Sequence, residues 1–329
     1  MSMSFRDKAA ILLVLTAVAL VYVQAVWLVT SEVIARRNNQ PVPASRVLVR
    51  WVFVLLAVAG LAAGAYGYFV EPRRLEVSHV RIGCDKLPPG SPPVRIAHLS
   101  DVHSEPATLL ERRLVHEVAR FKPDLVAFTG DAANVPGGLP NFRQLLTDLA
   151  KIAPVYGVAG NWDLAEGWAD RMFDDTGAHR LMGQTATITT RAGQRVVLAG
   201  ADPGDHKQLG EAVRQLSGED LTVFLYHYPA GIADLPAGKA DLMLSGHIHG
   251  GQVAIPGYGA IITLSATGKQ YERGLYRVGN THLYVSRGIG TEGGALAGIR
   301  LFSRPELVLI ELVPVDSAPA EAPALAPAK

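Results

Sequence analysis

His247 and His249 stand one residue apart in the run Ser245-Gly246-His247-Ile248-His249-Gly250-Gly251, at the end of an apolar stretch over residues 241–245. Imidazole is the commonest side-chain metal ligand. Flanking glycines permit backbone angles that let both rings turn toward one point. Four upstream segments carry side chains of the same kind. Asp101 and His103 follow the apolar run 94–99, and Asp131 follows 124–128. Asn161 and Asp163 follow 155–159, and His227 follows 221–226. Mixed N and O ligands suit Mn, Fe or Zn without choosing among them. Two such ions about 3.5–4 Å apart clamp the attacking and leaving oxygens of a phosphoryl displacement and acidify a bound water.

The elements that must position these groups follow from the same runs. Short apolar stretches bounded by turn residues read as buried strands. Ligands at successive strand ends converge on one edge of a sheet, where α/β folds place their sites. Residues 108–120 put Leu109, Leu110, Leu114, Val115 and Val118 on one helical stripe. Residues 141–152 repeat it with Phe142, Leu145, Leu146, Leu149 and Ile152. Further strands are expected at 185–190, 195–199, 221–226, 241–245, 261–265, 282–286 and 307–312. Pattern alone gives an α/β class.

Taken in order, Asp101-Val-His103, Gly130-Asp131, Gly160-Asn161-Trp162-Asp163, His227 and Gly246-His247-Ile-His249 resemble the motif series of the calcineurin-like metallophosphoesterase superfamily, over roughly residues 75–313. The stretch from Tyr284 to Thr291, with Arg304-Pro-Glu-Leu307 after it, looks like the membrane-associated branch. The resemblance implies a four-layer α/β/β/α sandwich. It implies that Asp101, His103, Asp131 and His249 hold one divalent ion, and that Asp131 bridges to a second held by Asn161, His227 and His247. It further implies attack on phosphorus by a metal-bound hydroxide, with Asp131 and Asn161 at the centre of the chemistry.

One position departs from the family pattern. Its Gly-Asn-His histidine, the usual proton donor to the leaving group, is Trp162 here. Indole donates a hydrogen bond but cannot give up a proton at pH 7. The loss matters most for a basic alkoxide and least for a phosphate leaving group, so pyrophosphate or activated diester bonds are favoured. UDP-2,3-diacylglucosamine pyrophosphatase, of the same superfamily, also lacks that histidine. Asp163 or a metal-bound water is the alternative acid, and an inactive enzyme is the competing reading. Some relatives carry a second acid where this chain has Asn134, to which no metal role is assigned.

Residues 9–31 and 51–70 are uncharged and about as long as the ~20 apolar residues a bilayer span needs. Trp27, Trp51, Tyr66 and Tyr68 lie toward span ends, where aromatic side chains favour the interface. Gly60 and Gly64 belong to a helix rich in small residues. The first stretch is too long for a typical signal peptide and lacks a small-x-small cleavage site. Residues 1–72 therefore read as a two-helix anchor, 73–313 as the catalytic domain and 314–329 as a disordered Pro/Ala-rich tail. The expected location is the inner membrane, multi-pass. Basic residues flank both ends of the hairpin and lean toward a cytoplasmic catalytic domain.

Net charge of +1 argues against a nucleic-acid partner. Cys84 is the only cysteine, so no intrachain disulfide or cysteine-rich zinc module exists. His98 is expected in the core, and His116, His179, His206 and His282 at the surface or in loops. The glycine-rich 288–294 stretch has no Gly-Lys-Ser/Thr and is read as a mobile rim loop rather than a phosphate loop. Arg287 and Arg300 are candidate contacts to substrate phosphate, because guanidinium grips phosphate oxygens in pairs. The expected activity is hydrolysis of phosphodiester or pyrophosphate bonds, on a lipid-linked substrate such as UDP-2,3-diacylglucosamine, in contact with membrane lipid. The alternatives are a nucleotide or general phosphodiesterase, and a non-catalytic metal-binding membrane scaffold or sensor.

Overall fold

The computed structural model describes residues 5–263, 265, 268–292 and 298–318. In chain order its helices and strands are α1 (Phe5–Arg37), α2 (Ala44–Phe69), β1 (Glu76–Cys84), β2 (Val94–Leu99), α3 (Glu111–Phe121), β3 (Leu125–Thr129), α4 (Leu139–Ala150), β4 (Val155–Val158), α5 (Asn161–Ala165), β5 (Ala178–Arg180), β6 (Thr185–Thr189), β7 (Arg195–Ala201), α6 (His206–Arg214), β8 (Leu221–Tyr226), β9 (Leu242–Ser245), β10 (Ala254–Ile255), β11 (Gly259–Ala260), β12 (Gly274–Val278), β13 (Thr281–Val285) and β14 (Glu306–Pro314).

Two six-stranded sheets carry the domain, in the orders β1-β14-β2-β3-β4-β5 and β12-β13-β9-β8-β7-β6. Side chains alternate faces along a strand, and the alternation here separates the layers. In β3, Leu125 and Ala127 face the space between the sheets, where they meet Val223, Leu225 and Leu244. Val126 and Phe128 face the other way, onto Leu114 and Val118 of α3 and Phe142, Leu145 and Leu149 of α4. In β8, Phe224 and Tyr226 face outward with Leu209 and Ala212 of α6. The result is helices, sheet, sheet, helix: the four-layer α/β/β/α sandwich. Each central strand is apolar on both faces because each face is buried.

The apolar helices are longer than the uncharged stretches that announce them. Windows of span length and composition run over Ile11–Arg37 and Ala44–Arg73. The extra turns carry charge that is neutralised between the helices. Glu32 of α1 pairs with Arg50 of α2 at 2.6 Å and with Arg36 at 2.7 Å, and Arg46 donates to the Ser31 hydroxyl at 2.9 Å. Gly60 lies against Tyr22, whereas Gly64 has open space around it, so the two glycines do not form one contact face.

Three expectations are corrected. Residues 261–265 form no strand among those described. The short hairpin β10–β11 precedes them, and the Ile261 N–H donates to the Val253 carbonyl at 3.3 Å. His282 is no surface histidine. It is 6 % exposed on β13, and its Nε2 lies 3.1 Å from Arg277. The first residues assigned to a disordered tail are structured, since β14 runs to Pro314 and a 3-10 turn follows over Val315–Ser317. The rest of that tail, residues 319–329, lies outside the described residues, as do residues 293–294 of the glycine-rich stretch.

Candidate metal centre

Each of the five motifs begins where a strand ends. Asp101 and His103 follow β2, Asp131 follows β3, Asn161 opens α5 after β4, His227 follows β8, and His247 and His249 follow β9. Because β2, β3 and β4 are parallel to one another, as are β7, β8 and β9, these ends meet along one edge. The backbone there is held in an unfavourable form. Asp101, His103, Asp131, His247 and His249 all have positive φ, between 43° and 72°. Non-glycine residues enter the left-handed region uncommonly and at a cost of roughly 1–3 kcal/mol each. Five such residues at one edge mark a place where side-chain direction outweighs backbone comfort.

The side chains form two groups. Ligand atoms of Asp101, His103 and His249 lie within 4.8 Å of one another, and so do those of Asp131, His227 and His247. His249 Nε2 is 3.4 Å from Asp101 Oδ1 and 3.2 Å from His103 Nε2. His227 Nε2 is 3.3 Å from Asp131 Oδ2 and 3.0 Å from Asn161 Oδ1. The same Asp131 Oδ2 is 3.8 Å from His103 Nε2, so this carboxylate stands between the groups. All seven predicted ligands are thus brought together.

Charge and burial fit a cation. Burial pushes the Asp131 carboxyl up, but the rings of His227, His103 and His247 outweigh it and hold it well below the usual carboxylate range. Burial pushes His103 down to about 4 and His249 well below its ordinary value. Both imidazoles are therefore neutral, the form that ligates a metal. For His227 burial acts downward, but the Asp131 and Asp101 carboxylates raise it to about 9. Its Nδ1 faces the Thr129 carbonyl at 2.7 Å, the kind of outer contact that fixes a ligating ring. Buried imidazole nitrogens facing each other and two carboxylates make a donor set suited to two divalent ions.

The surroundings hold the ligands in place. Asp163, fully buried, accepts from the backbone N–H groups of Asp131, Ala132 and Gly160, each at 2.8 Å, and from Trp168 Nε1 at 3.0 Å. Its carboxylate braces the Asp131 loop against α5 and is not presented as an acid to a substrate. Gly246 is required by close approach, because a Cβ there would collide with Ser100 Oγ and Asp101 Oδ2. His98 is buried, as expected, with Nε2 2.9 Å from Thr129 Oγ1.

Trp162 occupies the histidine position half-buried, with both of its N–H groups donated within the protein. Its backbone N–H donates to Asp131 Oδ1 at 2.9 Å, its indole N–H to the Asn134 carbonyl at 3.4 Å, and its ring stands edge-on to His103 at 6.1 Å. Asn134 donates through its amide to Glu105 at 2.7 Å and to the Thr291 carbonyl at 2.9 Å.

The expectation for Arg287 and Arg300 gives way. Arg300 is fully buried and donates to the carbonyls of Gly290, Ser303, Arg287 and Gly288, with Nη2 3.2 Å from His249 Nδ1. Arg287 is held by Glu306 at 3.0 Å and Glu76 at 3.1 Å. Both guanidinium groups are committed to the protein itself, so neither is free to grip a phosphate.

Two site residues escape sequence reasoning. The Tyr228 ring lies 4.5 Å from that of His247 and 5.4 Å from that of His227. Glu292 is half-buried within electrostatic reach of Asp131 and His227. The position of Tyr228 directly after His227 is a usable signal; Glu292 offers none.

The calcineurin-like phosphoesterase family model matches residues 94–251, from β2 through the last ligand loop. An uncharacterised metallophosphoesterase of Aquifex aeolicus is 30% identical over 265 residues, 76% of this chain and 95% of its own length. The phosphodiesterase YaeI of Escherichia coli is 29% identical over 274 residues, 78% of this chain and 95% of its own. A transmembrane protein with a metallophosphoesterase domain, from Danio rerio, is 27% identical over 299 residues, 84% of this chain and 65% of its own. With all five motifs on one edge of the sandwich and these relatives along most of its length, the chain belongs to the calcineurin-like phosphoesterase family.

Proposed function

We propose that the chain is a membrane-anchored hydrolase of phosphodiester or pyrophosphate bonds. The observation that carries this is the pair of ligand groups sharing Asp131. Asp101, His103, Asp131 and His249 would hold one divalent ion, and Asp131, Asn161, His227 and His247 the other. When bound, two such ions supply a hydroxide near neutral pH and offset charge building on the phosphoryl oxygens. The chain's own part is to aim and neutralise. Neutral His103 and His249 leave their lone pairs available, ionised Asp131 sets the negative charge between the groups, and the Asp163 brace fixes the loop that carries it. Trp162 makes an apolar wall where a proton donor is usual, which favours leaving groups that depart as weak bases. A diester with an activated leaving group and a pyrophosphate both meet that condition, and the name of the Escherichia coli relative agrees with the first.

Anchoring is supported by two helices of span length and by the description of the Danio rerio relative. The basic residues around the hairpin favour a cytoplasmic catalytic domain. A lipid-linked pyrophosphate such as UDP-2,3-diacylglucosamine would then reach the site within the leaflet. The test is release of UMP from that substrate by the detergent-purified chain with Mn²⁺, beside Asp131→Ala. Release requiring both Mn²⁺ and Asp131 supports the pyrophosphatase. No release from a metal-loaded chain that still cleaves bis(p-nitrophenyl) phosphate would replace it with a general phosphodiesterase.

A further inference from the structure

The last turn of α2 does not merely precede the catalytic domain; it is fastened to it beside the metal ligands. The Arg300 backbone N–H donates to the Gly67 carbonyl at 3.0 Å, and the Ser303 N–H donates to Glu71 Oε1 at 2.9 Å. Glu71 is 2 % exposed, so this carboxylate is built into the junction. Gly67 allows the approach, since a Cβ there would lie 2.8 Å from the Arg300 carbonyl oxygen. The Ser303 hydroxyl in turn donates to the His249 carbonyl at 2.7 Å. Helix end and ligand loop are thus separated by one short segment, 300–303.

Phe302 lies in that segment. Its φ is 56° and its side chain is 54 % exposed. Left-handed backbone in a bulky residue is costly, and so is an aromatic ring left in water. The two flanking contacts hold it in that state. Leu301 pairs with the loop leading into β10 through Ala254 N–H at 2.9 Å and the Gln252 carbonyl at 2.8 Å. The β10–β11 turn beyond presents Ile255, 48 % exposed, and Tyr258, 62 % exposed. Lys269 lies over the Tyr258 ring at 3.4 Å. The α2 end shows the same chemistry: Tyr68 and Phe69 are exposed, and Arg73 and Arg74 follow at once. Aromatic rings with adjacent cations are the composition of a membrane–water boundary.

We propose that Ile255, Tyr258 and Phe302 form a footing that enters the headgroup layer of an anionic bilayer beside the end of α2. The footing holds the ligand loop 247–251 at the membrane surface, so the site takes the phosphoester of a lipid still lying in the leaflet. This rests on the membrane-anchored reading above. The occupant is fixed by continuity: a span that ends at Phe69 puts the boundary at that level, and segment 300–303 is bonded to that end.

The test places an environment-sensitive fluorophore on single cysteines in a Cys84→Ser background, with the full chain in phosphatidylcholine/phosphatidylglycerol vesicles. Labels go at Ile255→Cys and Tyr258→Cys. Leu56→Cys within α2 is the anchor control, and Ala192→Cys in the β6–β7 turn, at the sheet ends away from the ligands, is the water control. Lipids carrying a shallow quencher should quench positions 255 and 258 but not 192, while a deep quencher reaches 56. Position 56 quenched with 255 and 258 unquenched overturns the footing and leaves the anchor standing. Position 56 unquenched overturns both. Ile255→Ser with Tyr258→Ser should raise KM for a vesicle-borne phosphodiester by about tenfold, the equivalent of ~1.4 kcal/mol. Turnover of soluble bis(p-nitrophenyl) phosphate should stay unchanged; equal loss on both substrates counts against the footing.

Discussion

The Asp163 carboxylate accepts the backbone N–H of Asp131 through one oxygen and that of Ala132 through the other, each at 2.8 Å. The residue directly after the expected proton-donor position is therefore the clamp on the shared ligand. Replacing it with alanine leaves four buried N–H donors without their acceptor, a cost of roughly 1–3 kcal/mol for each donor left unsatisfied. Asp163→Asn should be milder but should still lower divalent-ion affinity. Calorimetric Mn²⁺ titration of both variants checks this. Unchanged affinity in Asp163→Asn would show that the Asp131 loop holds its form without the clamp.

Trp162 sets which leaving groups are tolerated. Trp162→His restores a group able to donate a proton, and general acid catalysis is commonly worth about 10²–10⁴-fold. The expected pattern is a gain on alkyl diesters and a loss on pyrophosphates, read as kcat/KM on each. A large gain on every substrate would show that Trp162 is a defect rather than a specialisation.

Glu292 is the competing candidate for the proton that Trp162 cannot supply. Burial beside the Asp131 charge pushes its carboxyl up, the direction a proton donor needs. Glu292→Gln should lower kcat on an alkyl leaving group by about tenfold or more while p-nitrophenolate release falls less than about twofold. The alkaline limb of the alkyl-ester pH profile should change with it. Equal losses on both substrates would make Glu292 a structural residue.

His98 gives a pH dependence outside the ligand set. Complete burial holds its pKa at about 3, below the ordinary 6.5 that it regains on unfolding. Between those values the unfolded chain binds the extra proton, so stability falls as pH drops from about 6.5 toward 3. The melting temperature of His98→Gln should decline less over pH 7 to 5 than that of the parent chain. Parallel declines would remove His98 from the acid sensitivity.

The sequence exposes the ligands better than it exposes what supports them. Ligands sit at strand ends, and both a strand and its end leave local marks: an apolar run, then Asp, Asn or His beside glycine. The pattern alone gave an α/β class; the four-layer architecture came with the family resemblance, and β3 and β8, buried on both faces, fit it. Support is a matter of long-range contact. Arg300 reads as an exposed phosphate binder in isolation, yet it is buried among the carbonyls of residues 287–303. Asp163 looks like a spare acid until its four donors are seen. The stretch 261–265 has strand composition without a ladder to join, and His282 looks polar in a strand whose neighbours bury it. Residue type names the chemistry available to a side chain; only the fold says which neighbour uses it.

The order of strands in the first sheet also bears on how the protein is made. Among the described residues β1 pairs only with β14, which then separates it from β2. Cys84 and Glu306 are about 220 residues apart along the chain, some 10–45 s of synthesis at roughly 5–20 residues per second. Throughout that interval the two apolar helices and β1 have left the ribosome while the slot between β1 and β2 stands open. The newborn chain carries its metal ligands before it can close the sheet that aligns them, and the facing edges of β1 and β2 stay without their partner strand until residue 314 arrives.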